Sequence, residues 1–455
     1  MKRLLNAAGS LMGLLALAAL GIGLIALLRA QPTTSGVSPL ASPTLLLAAQ
    51  SPLSTPTPRP TSTRPPAPPT RTPRPTFTPA PPTTTPEPLP TLIPGRQTFV
   101  YATMRDGNPE LYRVQVDSAA RKAGSVYRID TRAWPTSRVQ IEGLYPSPDG
   151  KRVAVAWVYG EGGYYISILD VNNGRLTPLS SEEGKVEQAV FLDWSPKGNA
   201  ILVLGFDTNP NLRDGAWLVD IDTYQYNAVD IKQTTDPQRI TSASFSPDGK
   251  AIVYARTDCF QCGSEVWRVA LDRSDQQLLF QVPELRVEDV RWSPDGRHIA
   301  FTQWRESTEA SAFAVGELRV MVAGGDERRM ISPVLTGYSG VAPIWSPDGK
   351  QIAFVMNDGT KLGKRLDELR SNVYVADVSS GDVRQLTRYS RVQVLAPIWS
   401  PDGSMLAFIG NPDGVPGQLE LWAMNTDGRA VHRIDESRGL TVNTNATNVA
   451  VVWLP

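Results

Sequence analysis

A ten-residue phrase recurs six times along the chain and restricts what it can fold into. Ile344-Trp345-Ser346-Pro347-Asp348-Gly349-Lys350-Gln351-Ile352-Ala353 shows it in full. A hydrophobic strand runs into Ser-Pro-Asp-Gly, turns, and leaves as a second hydrophobic strand. The copies are marked by Ser147, Ser195, Ser246, Ser293, Ser346 and Ser400, at successive separations of 48, 51, 47, 53 and 54 residues. A period near fifty signals repeated supersecondary units that bury their faces against one another.

The turn chemistry is local. Proline pre-sets φ, aspartate accepts hydrogen bonds from nearby backbone amides, and glycine supplies the positive φ of a tight hairpin. Asp149–Gly150, Asp248–Gly249, Asp295–Gly296, Asp348–Gly349 and Asp402–Gly403 follow the pattern, while the second copy keeps Gly198 but has Lys197 in place of the acid. The aromatic before the serine (Trp194, Phe245, Trp292, Trp345, Trp399) suits the gap between two packed sheets. Six equivalent serines have no base beside them, so the motif reads as structural.

Around the phrase, one repeat contains four strands. In the fifth copy strand a ends at Trp345, strand b is Gln351 to Met356, strand c is Asn372 to Val378 and strand d is Val383 to Thr387. Four short strands per fifty residues match one blade of a β-propeller. The first strands, Thr98 to Met104, Glu110 to Val116 and Ser125 to Ile129, read as b, c and d with no strand a before them. The last residues end Trp453-Leu454-Pro455, echoing Trp-Ser-Pro, and Trp453 lies one repeat beyond Trp399. The C-terminal strand is therefore expected to complete the N-terminal blade. The expected fold over residues 96–455 is an all-β, seven-bladed β-propeller closed by its two chain ends.

Two other segments precede it. Residues 1–30 open with Lys2 and Arg3, and Leu11 to Leu28 contains no polar side chain. Eighteen residues at 1.5 Å rise give about 27 Å, close to a bilayer core, so an uncleaved signal anchor is expected, with its short basic tail inside. Residues 31–95 are rich in Pro, Thr and Ser and cannot bury enough apolar surface to offset their ordering entropy. They read as a disordered, semi-rigid stalk reaching on the order of 200 Å when extended. The propeller is then expected on the extracytoplasmic side of a cell membrane, as a single-pass protein.

These repeats resemble those of the TolB-like propeller family, which carry the same W-S-P-D-G-K-x-I-A-F pattern. The resemblance covers residues 96–455 and speaks to fold more than to function. TolB has six blades and a small α/β domain where this chain has an anchor and stalk, so the chain is not expected to be TolB itself. Similar propellers gate prolyl-oligopeptidase-type hydrolases, but Gly337-Tyr338-Ser339-Gly340-Val341 fails the G-x-S-x-G elbow at its last place. Some pectin lyases use the fold with several histidine metal ligands. Here His298 and His432 are the only histidines, so no metal and no cofactor are expected.

Function is expected on the loops. The a–b turns are short, whereas the b–c loops are long and gather with the d–a loops around one mouth of the central channel, where binding usually resides. Trp304, Arg305, Lys361, Lys364 and Arg365 are the candidate binding residues. Lys+Arg and Asp+Glu are both 45, which leaves no basic excess to attract nucleic acid. Cys259 and Cys262, alone in the sequence, lack further zinc ligands and are expected to form a local disulfide. The expectation is a non-enzymatic binding or scaffold module for an extracytoplasmic protein or polysaccharide. The alternative is a carbohydrate-active or hydrolytic enzyme with its site at the channel mouth, marked by carboxylates with a histidine or metal.

Overall fold

The computed structural model describes residues 89–454 apart from 106–107, 118–122, 132–138, 160–162, 180–187, 207–214, 230–238, 258–262, 306–314, 337–342, 358–370, 390–393, 411–419 and 435–450. The expected anchor, most of the stalk, Lys361, Lys364, Arg365, Cys259 and Cys262 lie outside the described residues.

Among the described residues every regular element is a strand, and the strands form seven four-stranded antiparallel sheets. Blade 1 pairs Val451–Leu454 with Gln97–Arg105, then Asn108–Val116 and Ala123–Ile129. Blades 2 to 7 each run in chain order from an inner strand a to an outer strand d. Their inner strands are Val139–Pro146, Gln188–Trp194, Arg239–Phe245, Arg286–Trp292, Ile344–Trp345 and Val394–Trp399. The expected closure is present: Thr98 pairs with Leu454 and Phe99 with Trp453, whose rings lie 4.5 Å apart.

The core follows from this geometry. A blade is apolar on both faces and buries each against a neighbour. Seven apolar clusters result, and each straddles one seam between adjacent blades. The seam between blades 7 and 1 joins Met405, Ala407 and Leu421 to Phe99, Tyr101 and Trp453. Strand b sits at the centre of each sheet, so its middle residues vanish from solvent: Tyr254, Phe301, Phe354 and Phe408 are at most 1% exposed.

Five of the six repeat turns are hydrogen-bonded knots around a buried serine, and the sixth, at the half-buried Ser195, uses Asn199 in place of the missing aspartate. In the copy at Ser346, the hydroxyl donates to Asp348 Oδ1 at 2.7 Å and accepts from the Gln351 amide at 2.9 Å. The serine backbone N–H donates to the Gln351 carbonyl, and the Gly349 amide closes back on the serine carbonyl. Gly349 sits at φ 71°, a region that costs a side chain roughly 1–2 kcal/mol. In Asp248, Asp348 and Asp402 the serine hydroxyl holds the carboxyl below the usual carboxylate range.

The tryptophans stitch the seams. Nε1 of Trp194, Trp345 and Trp399 donates to the backbone carbonyl of Tyr145, Arg291 and Ile344 in the preceding blade, at 2.9, 3.2 and 3.0 Å. Turns also touch: a Cβ added at Gly249, Gly296 or Gly403 would meet Pro196, Pro247 or Pro347 of the copy before. The turns therefore ring one face.

Two outcomes test this architecture. Trp453→Ala removes a 3%-exposed ring from the closing seam and should cost about 3–5 kcal/mol in urea unfolding. Ser346→Ala deletes a hydroxyl that both donates and accepts, and should cost about 1–2 kcal/mol.

Candidate functional site

The inner strands carry the part of the chain that faces the axis, and one register is set apart. Two residues before each repeat serine stand Tyr145, Asp193, Ser244, Arg291, Ile344 and Ile398, and Val452 holds the same place before Trp453. The four polar members occupy blades 2 to 5 in unbroken order. The three apolar members occupy blades 6, 7 and 1. The layer is thus polar on one arc and aliphatic on the other.

Local backbone irregularity brings it about. Inner-strand pairing slips between Ile141 and Gly143, Phe191 and Asp193, Ile240 and Ser242, Glu288 and Arg291, and Leu395 and Ile398. Bulges of this kind bend an edge strand and re-aim its side chains. Asp289 and Ala396, each four residues before its serine, have φ of 54° and 42°, values uncommon for residues with a Cβ.

Asp193 is held most completely. One carboxylate oxygen accepts from the Phe245 amide of the next blade at 2.8 Å, and the other from the Trp194 amide at 2.9 Å. Arg291 reaches back to blade 4, donating from Nη1 to the Ala243 carbonyl at 2.9 Å. Asp289 accepts from the Thr302 hydroxyl at 3.0 Å, and that hydroxyl accepts in turn from Trp304 Nε1 at 3.0 Å. Glu288 forms an ion pair with Arg286. Tyr145 stacks on Phe191 at 4.1 Å.

The electrostatics show that these groups share one space. Arg291 in blade 5 acts on Asp193 in blade 3 and on Tyr145 in blade 2. Blades 2 and 5 are not neighbours, so this influence runs across the axis. Burial is the main influence on every member. It raises the carboxyls of Asp193 and Asp289 against the opposing pull of Arg291, and raises Glu288 against Arg286. It raises Glu142 with no opposing cation, and pushes the Tyr145 phenol up to about 12. Each of these residues is nonetheless partly open to solvent. Carboxyls so placed hold protons closer to neutral pH and can donate as well as accept hydrogen bonds. Among the described residues no three His, Cys, Asp or Glu side chains converge to hold a metal ion.

Of the loop residues singled out from sequence, Lys361, Lys364 and Arg365 lie outside the described residues. Trp304 is 5% exposed and packs in the seam between blades 5 and 6, so it is no surface contact. Its indole instead supports Thr302 beneath Asp289. Arg305 ends strand b of blade 5, opposite Val315. The axial residues were missed because each lies inside a strand. The signal was present in the alignment of repeats, where one column changes from polar to aliphatic halfway round.

Residues 269–450 match the family described as TolB beta propeller domain. Over that stretch the propeller is similar to TolB propellers. The uncharacterized peptidase YuxL of Bacillus subtilis (strain 168) is 27% identical over 214 residues, 40% of this chain and 30% of that protein. Dipeptidyl-peptidase 5 of Porphyromonas gingivalis is 33% identical over 153 residues, 33% of this chain and 21% of that protein. The Tol-Pal system protein TolB of Alcanivorax borkumensis is 28% identical over 96 residues, 21% of this chain and 20% of that protein. The TolB-like chain spans less than a third of each of these relatives. The expectation of a protein without enzymatic function is corrected here, because peptidase-named proteins stand among its relatives.

Arg291→Met tests the axial layer. It leaves Asp193 and Asp289 without their shared cation, and should cost about 2–3 kcal/mol at pH 7. Both carboxyls have folded-state pKa values raised above the unfolded ones, so their contribution is complete at low pH and lost as they ionise. The deficit of the variant should therefore shrink between pH 7 and pH 5 when urea unfolding is compared with that of the parent protein.

Proposed function

We propose that this chain is a recognition propeller, held at the extracytoplasmic surface of a membrane by its N-terminal apolar run and Pro/Thr-rich stalk. It receives a protein or polysaccharide segment on the b–c loop face, over the axial layer. The observation that supports this reading is the one-sidedness of that layer. A ring built only for packing needs small apolar residues all round. Keeping two aspartates and a guanidinium at depth costs desolvation free energy, and sites with that cost cluster where ligands are recognised. A ligand with both polar and apolar parts matches the two arcs. Lys361, Lys364 and Arg365, in the b–c connection of blade 6 by sequence, are the proposed loop contacts of that ligand. With no net charge on the chain, nucleic acid is a poor match for it.

Hydrolysis at the channel mouth is the second reading. It is favoured by the peptidase-named relatives and by carboxyls whose raised pKa values suit a general acid. One experiment separates the two. The detergent-solubilised full chain and its Asp193→Asn/Asp289→Asn variant are used to capture material from extracytoplasmic extract, and the retained molecules are identified by mass spectrometry. Recognition predicts an intact ligand on the parent protein, retained at least about tenfold less by the variant. Hydrolysis predicts cleaved material from the parent and intact material from the variant. Equal retention of an intact ligand by both would remove the axial layer from either role.

A further inference from the structure

The sequence assigns residues 89–95 to the stalk, yet the described chain begins there with a docked segment. Leu89 and Leu92 pack on the cluster between blades 1 and 2, which includes Val452 and Leu454 of the C-terminal strand. The seat for Leu89 exists because residue 174 is glycine: a Cβ there would lie 2.6 Å from Leu89 Cδ1. Arg113, on strand c of blade 1 and 1% exposed, ties three backbones together. Its Nη1 donates to the carbonyls of Val171 at 2.6 Å and Asn172 at 3.1 Å, both in blade 2, and its Nη2 donates to the Pro90 carbonyl. Gln115 accepts from the Ile93 amide at 3.0 Å and donates to its carbonyl at 3.4 Å, as a strand would. The same Gln115 amide donates to Thr98 Oγ1 at 3.3 Å, and Thr98 pairs with Leu454.

These contacts join one stretch of chain to both blades of the seam and to the strand that closes the ring. We propose that Leu89–Ile93 is a strap that locks ring closure, keeping Val451–Leu454 seated by fastening blade 1 to blade 2 beneath it. The location supports the role. The closing strand is four residues long and belongs to a blade whose other three strands come from the opposite end of the propeller, so it is held by pairing alone and open to fraying. A buried guanidinium of blade 1 that serves two carbonyls of blade 2 and one of the strap is costly to open piecemeal, because each freed carbonyl or N–H would be left without a partner. The strap lies on the turn face, where strand b of blade 1 begins. Load arriving from the N-terminal side therefore meets Arg113 and Gln115 before it reaches the pairing of Gln97–Arg105 with Val451–Leu454. This inference does not require the proposed ligand or its face.

Native-state hydrogen exchange of the full chain, read by mass spectrometry, tests it. Leu89→Asn/Leu92→Asn should raise exchange in Val451–Leu454 and in Gln97–Tyr101 at least about tenfold, equivalent to about 1.4 kcal/mol. Blades 4 to 6 should exchange as in the parent protein. Arg113→Met should act in the same direction, and where that variant does not fold, Gln115→Ala takes its place. Faster exchange confined to residues 89–96, with the closing strand unchanged, would overturn the proposal. So would an equal rise in every blade, which would mark general destabilisation and no lock.

Discussion

Pairing of Val451–Leu454 with Gln97–Arg105 is the constraint on which the rest of the structure depends. Without it, six blades would each have two neighbours in prospect and the seventh would lack its inner strand. The Phe99 and Tyr101 face would then meet Met405, Ala407 and Leu421 with no Trp453 between them. A ring distributes burial evenly because every blade face finds a partner, so no apolar sheet face remains for solvent. That evenness explains why the seven clusters are so alike in size and composition although the sequences of the blades differ widely.

The repeat phrase is a device for keeping seven sheets at one angle. Its serine, aspartate and glycine knot each a–b hairpin internally, its tryptophan bonds to the blade before, and its glycine receives the proline of the preceding turn. Local turn chemistry and seam geometry are thus encoded in the same few residues. The first position of the phrase, two residues before the serine, is released from that duty, and there the polar arc of Tyr145, Asp193, Ser244 and Arg291 is found.

The axial layer unites the two readings of function. Its acids are raised by burial and opposed by Arg291, an arrangement equally suited to gripping a polar group and to moving a proton. The correction on enzymatic function came from relatives named as peptidases, which share stretches of propeller sequence with this chain and extend well beyond them. Trp304 illustrates how a loop-end aromatic misleads. At the edge of a long loop it reads as a contact residue, whereas its indole points inward to Thr302 and holds the hydroxyl that Asp289 uses.

By itself the sequence determined the number of blades, the closure and the turns, since each is written in short-range patterns: a fifty-residue period, four strands per period, and a final Trp-Leu-Pro in step with the rest. Strand limits were legible to within a few residues for the same reason. Tertiary structure alone decided the axial layer and the strap. Tyr145 and Arg291 stand in blades 2 and 5, with two blades between them, and Arg291 acts on the Tyr145 phenol only because the ring brings them to one axis. Pro90 finds Arg113 only because a seam places blade 2 beside blade 1. Periodicity reports which face of a strand is buried, but it carries no information on which distant faces meet across an axis.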